Sequence, residues 1–227
     1  MENCWLKDSC NGKDCNEPFC MKQFKLNELY NLAMIPQIHR NRLKLRIDSD
    51  GSDLAAFQYL SSYEENIKQN VEGGLNLFIY STQCGNGKTS WAIRMIQAYL
   101  NKIWAKSDLV CRALFIDVPT FLLALKDNIS NKNEYIEAVK DNITSADLVV
   151  WDDIGAKVGS EFELNHLLSL INTRIMSGKA NIYTSNMTPE TMNLAIGERL
   201  TSRVVNYSNI VNLVGADKRK FAIGGNN

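Results

Sequence analysis

The chain has 227 residues, 45% of them hydrophobic and 22% charged, an ordinary globular composition that excludes wholesale disorder and fibrous repeats. Its 25 basic side chains balance 25 acidic ones, which excludes a strongly basic nucleic-acid coat while leaving room for a local basic face. No apolar run nears the roughly 18 residues that span a bilayer, and the start, Met-Glu-Asn-Cys-Trp, lacks both parts of a secretory signal. The expected compartment is therefore cytoplasmic.

Four of the six cysteines, Cys4, Cys10, Cys15 and Cys20, crowd the first stretch at spacing C-x5-C-x4-C-x4-C. In a reducing compartment such a cluster points to metal rather than disulfides. The segment has no aliphatic periodicity from which to build a core, so four thiolates on a structural Zn²⁺ would staple it. The competing readings are disulfides formed after lysis and free thiols in a disordered tail. Residues 1–30 are therefore set apart as a zinc-binding module, and residues 31–227 as the main domain.

Phe24, Leu26, Leu29, Leu32, Ala33 and Ile35 follow at helical spacing until Pro36 interrupts. A helix from Leu54, capped by Asp53, carries Leu60, Ile67 and Val71 and ends at Gly73-Gly74. From there apolar strands alternate with amphipathic helices. Strands are expected at Leu75–Ser81, Ala113–Val118, Leu148–Trp151, Asn181–Ser185 and Ile210–Val214, with helices at 88–104 and 162–176 among the connections. Strands separated by helices imply parallel crossovers, hence an α/β layered sheet.

Ser81-Thr82-Gln83-Cys84-Gly85-Asn86-Gly87-Lys88-Thr89 follows a strand and opens a helix, the setting in which a glycine-rich loop cradles phosphates. Cys84, Gly85, Asn86, Gly87, Lys88, Thr89 and Ser90 are expected to contact a nucleotide. Within that set Lys88 reaches the β- and γ-phosphates, and the Thr89 hydroxyl is a ligand for Mg²⁺. Thr82 stands where the Walker pattern has its first glycine, which predicts a stiffer loop entry. Leu148-Val149-Val150-Trp151-Asp152-Asp153 is an apolar strand ending in two carboxylates. Placed beside the first strand, it would bring Asp152 to the same Mg²⁺ and leave Asp153 to orient or deprotonate the attacking water. Asn186 reads either as the amide that holds that water or as a turn residue before Thr188-Pro189. Arg199 and Arg203, four apart on one helical face, read as a transition-state guanidinium supplied to a neighbour or as a solvated basic face.

Taken together, Ile35-Pro36, Arg40, Gly85-Asn86-Gly87-Lys88-Thr89, Trp151-Asp152-Asp153-Ile154-Gly155-Ala156, Tyr183-Thr184-Ser185-Asn186 and Gly197-Glu198-Arg199-Leu200-Thr201-Ser202-Arg203 resemble the DnaC/DnaI-type helicase loaders, a branch of the AAA+ ATPases. The resemblance implies a P-loop AAA+ core with a five-stranded parallel sheet flanked by helices and no C-terminal lid domain. It implies ATP hydrolysis with Mg²⁺, with Asp152 and Asp153 as the Walker B pair and Asn186 as sensor 1. Arg203, with Arg199 as helper or alternative, becomes the arginine finger, and Arg219 a sensor-2-like arginine. The partners it implies are a replicative hexameric DNA helicase gripped by the N-terminal module, single-stranded DNA, and further copies of the ATPase domain; no membrane is involved. Lys126, Lys132 and Lys140, between the second and third strands, sit among acidic residues and read better as a solvated helix than as a DNA contact. An IstB-like transposition helper shares the core motifs. A nucleotide-switched adaptor with little hydrolysis is the third reading.

Overall fold

A computed structural model describes residues 20–40, 45, 47, 51–130 and 132–218. In chain order the elements are α1 (Met21–Leu32), α2 (Leu54–Glu65), α3 (Ile67–Glu72), β1 (Asn76–Tyr80), α4 (Lys88–Ile103), β2 (Ala113–Asp117), α5 (Val118–Ser130) and α6 (Glu134–Ser145). They continue with β3 (Leu148–Asp152), α7 (Glu161–Met176), β4 (Ala180–Ser185), α8 (Pro189–Asn206) and β5 (Ser208–Asn212). The strands form one sheet in the order β2-β3-β4-β1-β5, every neighbouring pair parallel. Parallel strands need crossovers, and the crossover helices cover both faces of the sheet. Leu77, Ile79, Phe115, Val150 and Ile182 accordingly pack on the side of α1–α4. Phe78, Leu114, Ile116, Val149, Trp151 and Tyr183 pack on the side of α5–α8.

Four local expectations are revised. β4 lies between β1 and β3, so the strand ending in Asp152-Asp153 is not beside the first strand. The helix starting at Leu54 breaks at Asn66 into α2 and α3. Asp53 stands at the N-cap position without a side-chain capping bond; its carboxylate pairs with Lys218. Finally, residue 30 falls inside α1, whose Leu26, Leu29 and Tyr30 are buried in the same cluster as Met95, Leu100 and Phe115. The backbone leaving α1 also caps the sheet edge, because Phe115 N donates to the Ala33 carbonyl at 2.8 Å. α1 thus packs in the same core as the sheet.

Two helices fill the stretch between β2 and β3, and within it Lys140 is paired with Glu137 at 2.9 Å. On the same side of the sheet, Arg174 on α7 is fully buried. Its guanidinium donates to the carbonyls of Ile143, Ala146, Asp147 and Ala180 and to Asn181 Oδ1. That single side chain ties α7 to the end of α6, the start of β3 and the start of β4.

Candidate nucleotide site

The carboxyl ends of β1, β3 and β4 open on one side of the sheet, where open α/β sheets bind ligands. Between β1 and α4 the loop is held from within. Asn86, nearly buried, donates from Nδ2 to Ser81 Oγ at 2.6 Å and to the Leu213 carbonyl at 2.8 Å. Gly87 precedes the first turn of α4 at φ 104°, and Gly85 has φ 77°, both in the region that a Cβ disfavours. Among the described residues the non-glycines with positive φ are Met34, Leu109 and Asp153, so Thr82 accommodates its place without that strain. Lys88 Nζ lies inside the loop, donating to the Gln83 carbonyl at 2.9 Å and to Asn86 Oδ1 at 3.3 Å. Thr89 and Ser90 are half-buried on the first turn of α4. Cys84 is exposed, with Sγ 3.9 Å from Asn186 Oδ1.

A connected line of side chains crosses from this loop to the strand ends. Thr89 Oγ1 donates to Asp152 Oδ2 at 3.1 Å, and Thr184 Oγ1 on β4 donates to Asp152 Oδ1 at 2.6 Å. The same Thr184 oxygen accepts the Asp153 N–H at 2.9 Å. Asn186 Nδ2 donates to Asp153 Oδ1 at 2.7 Å. Asp153 sits at φ 58°, a left-handed conformation that costs energy in a residue with a Cβ. The bonds from Thr184 and Asn186, with Ile154 N on the Thr184 carbonyl at 2.9 Å, hold it there. β4 therefore does more than separate β1 from β3, because one of its hydroxyls holds the Asp152 carboxylate and the backbone of Asp153.

Burial pushes the Asp152 carboxyl above its ordinary range; the Thr184 and Thr89 hydroxyls oppose this, and the charges of Asp153 and Asp117 add to it. Burial also raises Asp153, joined by the charge of Asp117 and opposed by the Lys88 ammonium and the Asn186 amide. Asp117 escaped the sequence reading. It ends β2 as the register partner of Asp152 and accepts the Thr120 N–H at 2.9 Å at the start of α5. Thr184 escaped it too, although a polar residue inside the buried run Asn181-Ile182-Tyr183-Thr184-Ser185 was the available signal.

Arg199 and Arg203 are placed elsewhere. α8 breaks at Gly197, φ 76°, and both arginines follow the break. With Asn165, Leu168 and Asn172 of α7 they line a groove of about 490 Å³. Arg203 donates to Tyr207 Oη at 3.1 Å and lies over that ring at 5.4 Å. Neither guanidinium bonds to the chain's own phosphate loop. Cys20 caps α1, its sulfur accepting the Gln23 N–H at 3.5 Å. Cys4, Cys10, Cys15 and Arg219 lie outside the described residues, and among the described ones no group of three or more His, Cys, Asp and Glu is arranged to hold a metal. No helix among the described residues is long and apolar enough to cross a membrane.

Comparison with known proteins agrees with this geometry. The chain is 26% identical over 188 residues to the replicative helicase loader DnaC of Escherichia coli K12, covering 81% of this chain and 71% of DnaC. Its fold is similar to the crystal structure of DnaI, with TM-score 0.60 and 18% identity over 79% of this chain and 95% of that one. It is also similar to AMPPCP-bound DnaA from Aquifex aeolicus, with TM-score 0.55 and 23% identity over 75% of this chain and 49% of that one. Residues 56–209, most of the chain and all of the line from Gly85 to Asn186, match the bacterial DnaA ATPase domain, and the chain belongs to that family of AAA+ ATPases.

Proposed function

We propose that the chain is an ATP-hydrolysing helicase loader, which binds a replicative hexameric DNA helicase and delivers it onto single-stranded DNA while its ATPase domains associate with one another. The observation that supports turnover is the connected line Thr89–Asp152–Thr184–Asp153–Asn186 at the mouth of the phosphate loop. The likeness to DnaC supports the client. Phosphates lie on the loop at the N-terminus of α4, with the Lys88 ammonium toward the β- and γ-groups. Thr89 and Asp152 offer adjacent oxygens of the kind that suits a hard cation. Mg²⁺ held there supplies charge neutralisation at the phosphate oxygens. Asp153 takes the proton of the attacking water on the carboxylate oxygen that Asn186 leaves free, and Asn186 and Thr184 keep that oxygen aimed. Arg203 exchanges Tyr207 for the γ-phosphate of a neighbouring copy, with Arg199 beside it.

Two predictions follow from this arrangement. Thr184→Val removes the hydroxyl that donates to the Asp152 carboxylate and leaves the Asp153 N–H without its acceptor. ATP turnover is expected to fall about ten- to a hundredfold for about 1 kcal/mol of stability, while Thr184→Ser keeps most of the rate; steady-state hydrolysis and thermal melts read the two effects. Arg203→Ala subunits are expected to be nearly inactive alone and to regain turnover when mixed with Lys88→Ala subunits, which bring fingers but no working loop. Absence of rescue at high concentration leaves Arg203 as a partner of Tyr207 only.

The test of the whole reading is co-elution of the full chain with its host's replicative helicase in ATP and Mg²⁺. A Cys4→Ser/Cys10→Ser/Cys15→Ser variant is run beside it, with metal analysis of both samples. A cut at residue 31 is unsuitable, because it removes Leu26, Leu29 and Tyr30 from the core. Binding by the wild type with one Zn per chain, both lost in the variant, supports the loader with a zinc-stapled grip. An ATPase that ignores the helicase has another client, and the IstB-like helper then takes precedence.

A further inference from the structure

The break in α8 falls at Gly197, with φ 76° and ψ 160°, a combination of dihedrals essentially confined to glycine. Space is not what requires the glycine, because a Cβ there would meet nothing within 4 Å. What the break changes is the phase of the helix. Ahead of it Met192, Ala195 and Ile196 are buried, a stripe at i, i+3 and i+4. In an uninterrupted helix, turning about 100° per residue, the next members of that stripe are Arg199 and Arg203, at i+3 and i+7 from Ile196. The core residues observed are instead Leu200 and Val204, each one place later, at 2% and 0% exposure. Arg199 is exposed and Arg203 half-buried. The second half of α8 is thus set back by about one residue, roughly 100° about its axis. That rotation takes two guanidinium groups off the apolar stripe and places them on the groove shared with Asn165, Leu168 and Asn172.

We propose that Gly197 is the positioning residue for the finger, an assignment that rests on the trans role of Arg203 given above. By breaking the helical phase it presents Arg203, with Arg199 beside it, to a neighbouring copy. An L residue with a Cβ at this position resists φ 76°, ψ 160°. Helical dihedrals there would carry both charges toward the face that Leu200 and Val204 now fill, where burial without partners is costly. Keeping the break instead leaves strain in the turn that aims the finger. Either response misplaces the guanidinium, and a shift of about 1 Å can cost about a hundredfold in rate. The phosphate loop stands between β1 and α4, and its carboxylates end β3. The defect therefore belongs to the finger that a subunit gives, not to the loop that it keeps.

Mixing experiments with full-length chains separate these two. Gly197→Ala alone is expected to turn ATP over about a hundredfold more slowly than the wild type, while binding a fluorescent ATP analogue equally well. Lys88→Ala subunits, which bring normal fingers, should restore its turnover. Gly197→Ala/Lys88→Ala subunits should fail to restore Arg203→Ala, which Lys88→Ala subunits do restore. Thermal melts identify any variant that does not fold. Gly197→Asn, a residue more tolerant of positive φ than alanine, should donate at an intermediate level and replaces Gly197→Ala if that chain is unfolded. Full donation by the folded double variant, or a folded Gly197→Ala chain that Lys88→Ala cannot activate, overturns the role of Gly197. If Lys88→Ala fails to restore even Arg203→Ala, the trans finger is itself overturned, and the role of Gly197 with it.

Discussion

Asp153→Asn is expected to bind ATP as the wild type does and to turn it over about a thousandfold more slowly, within the range for loss of a positioned general base. The replacement is close to isosteric, and its amide oxygen can still accept from Asn186 Nδ2, now at 2.7 Å from Asp153 Oδ1. What disappears is the group proposed to take the water's proton. The same change should raise the melting temperature slightly, because the native carboxylate is partly desolvated and stands near Asp117. Sites that place like charges together for chemistry give up stability to do so. Steady-state hydrolysis, nucleotide titration and a melt on one preparation test all three statements. Turnover within tenfold of the wild type would assign proton removal to another group.

Arg174→Met is expected to be the most destabilising single change in the sheet region, by about 3–5 kcal/mol. The guanidinium has no carboxylate among its direct partners. Its charge is solvated by four backbone carbonyls and the Asn181 amide oxygen, at 2.6 to 3.4 Å. Burial lowers its pKa to about 10, which leaves it charged at neutral pH. A methionine fills much of the volume and abandons every acceptor. Arg174→Lys keeps the charge but cannot reach acceptors on α6, β3 and β4 with one nitrogen, so it should recover only part of the loss. Denaturant unfolding of the three chains measures the order, expected as Arg above Lys above Met.

How much of this was legible beforehand depended on whether the signal was local. Leu-Phe-Ile, Leu-Phe-Ile and Leu-Val-Val runs ended in turn or acidic residues, so β1, β2 and β3 were readable within a residue or two of their ends. The phosphate loop was readable because its chemistry needs consecutive residues. Side chains that work through distant partners were not. Asp53 precedes a helix and reads as its cap, yet its partner is Lys218 at the other end of the chain. Arg174 in an amphipathic helix reads as a solvated charge, and only the meeting of α6, β3 and β4 buries it. α1 was recognisable as a helix, but periodicity does not say which core it joins. Strand order was equally hidden: nothing local places β4 between β1 and β3, so the polar Thr184 inside a buried run had no visible partners.

Gly197 divides α8, and from there the backbone runs through Arg203 and Tyr207, along β5, to Leu213 and Lys218. One end of that run carries Arg203, the finger proposed above, while the other rests on the chain's own loop at Gly85 and Asn86. A disturbance at either end travels along covalent bonds and one edge strand, with no domain boundary in between. On the proposed trans arrangement of Arg203, the catalytic cycles of adjacent subunits are phase-locked, each keeping time by the nucleotide of the next.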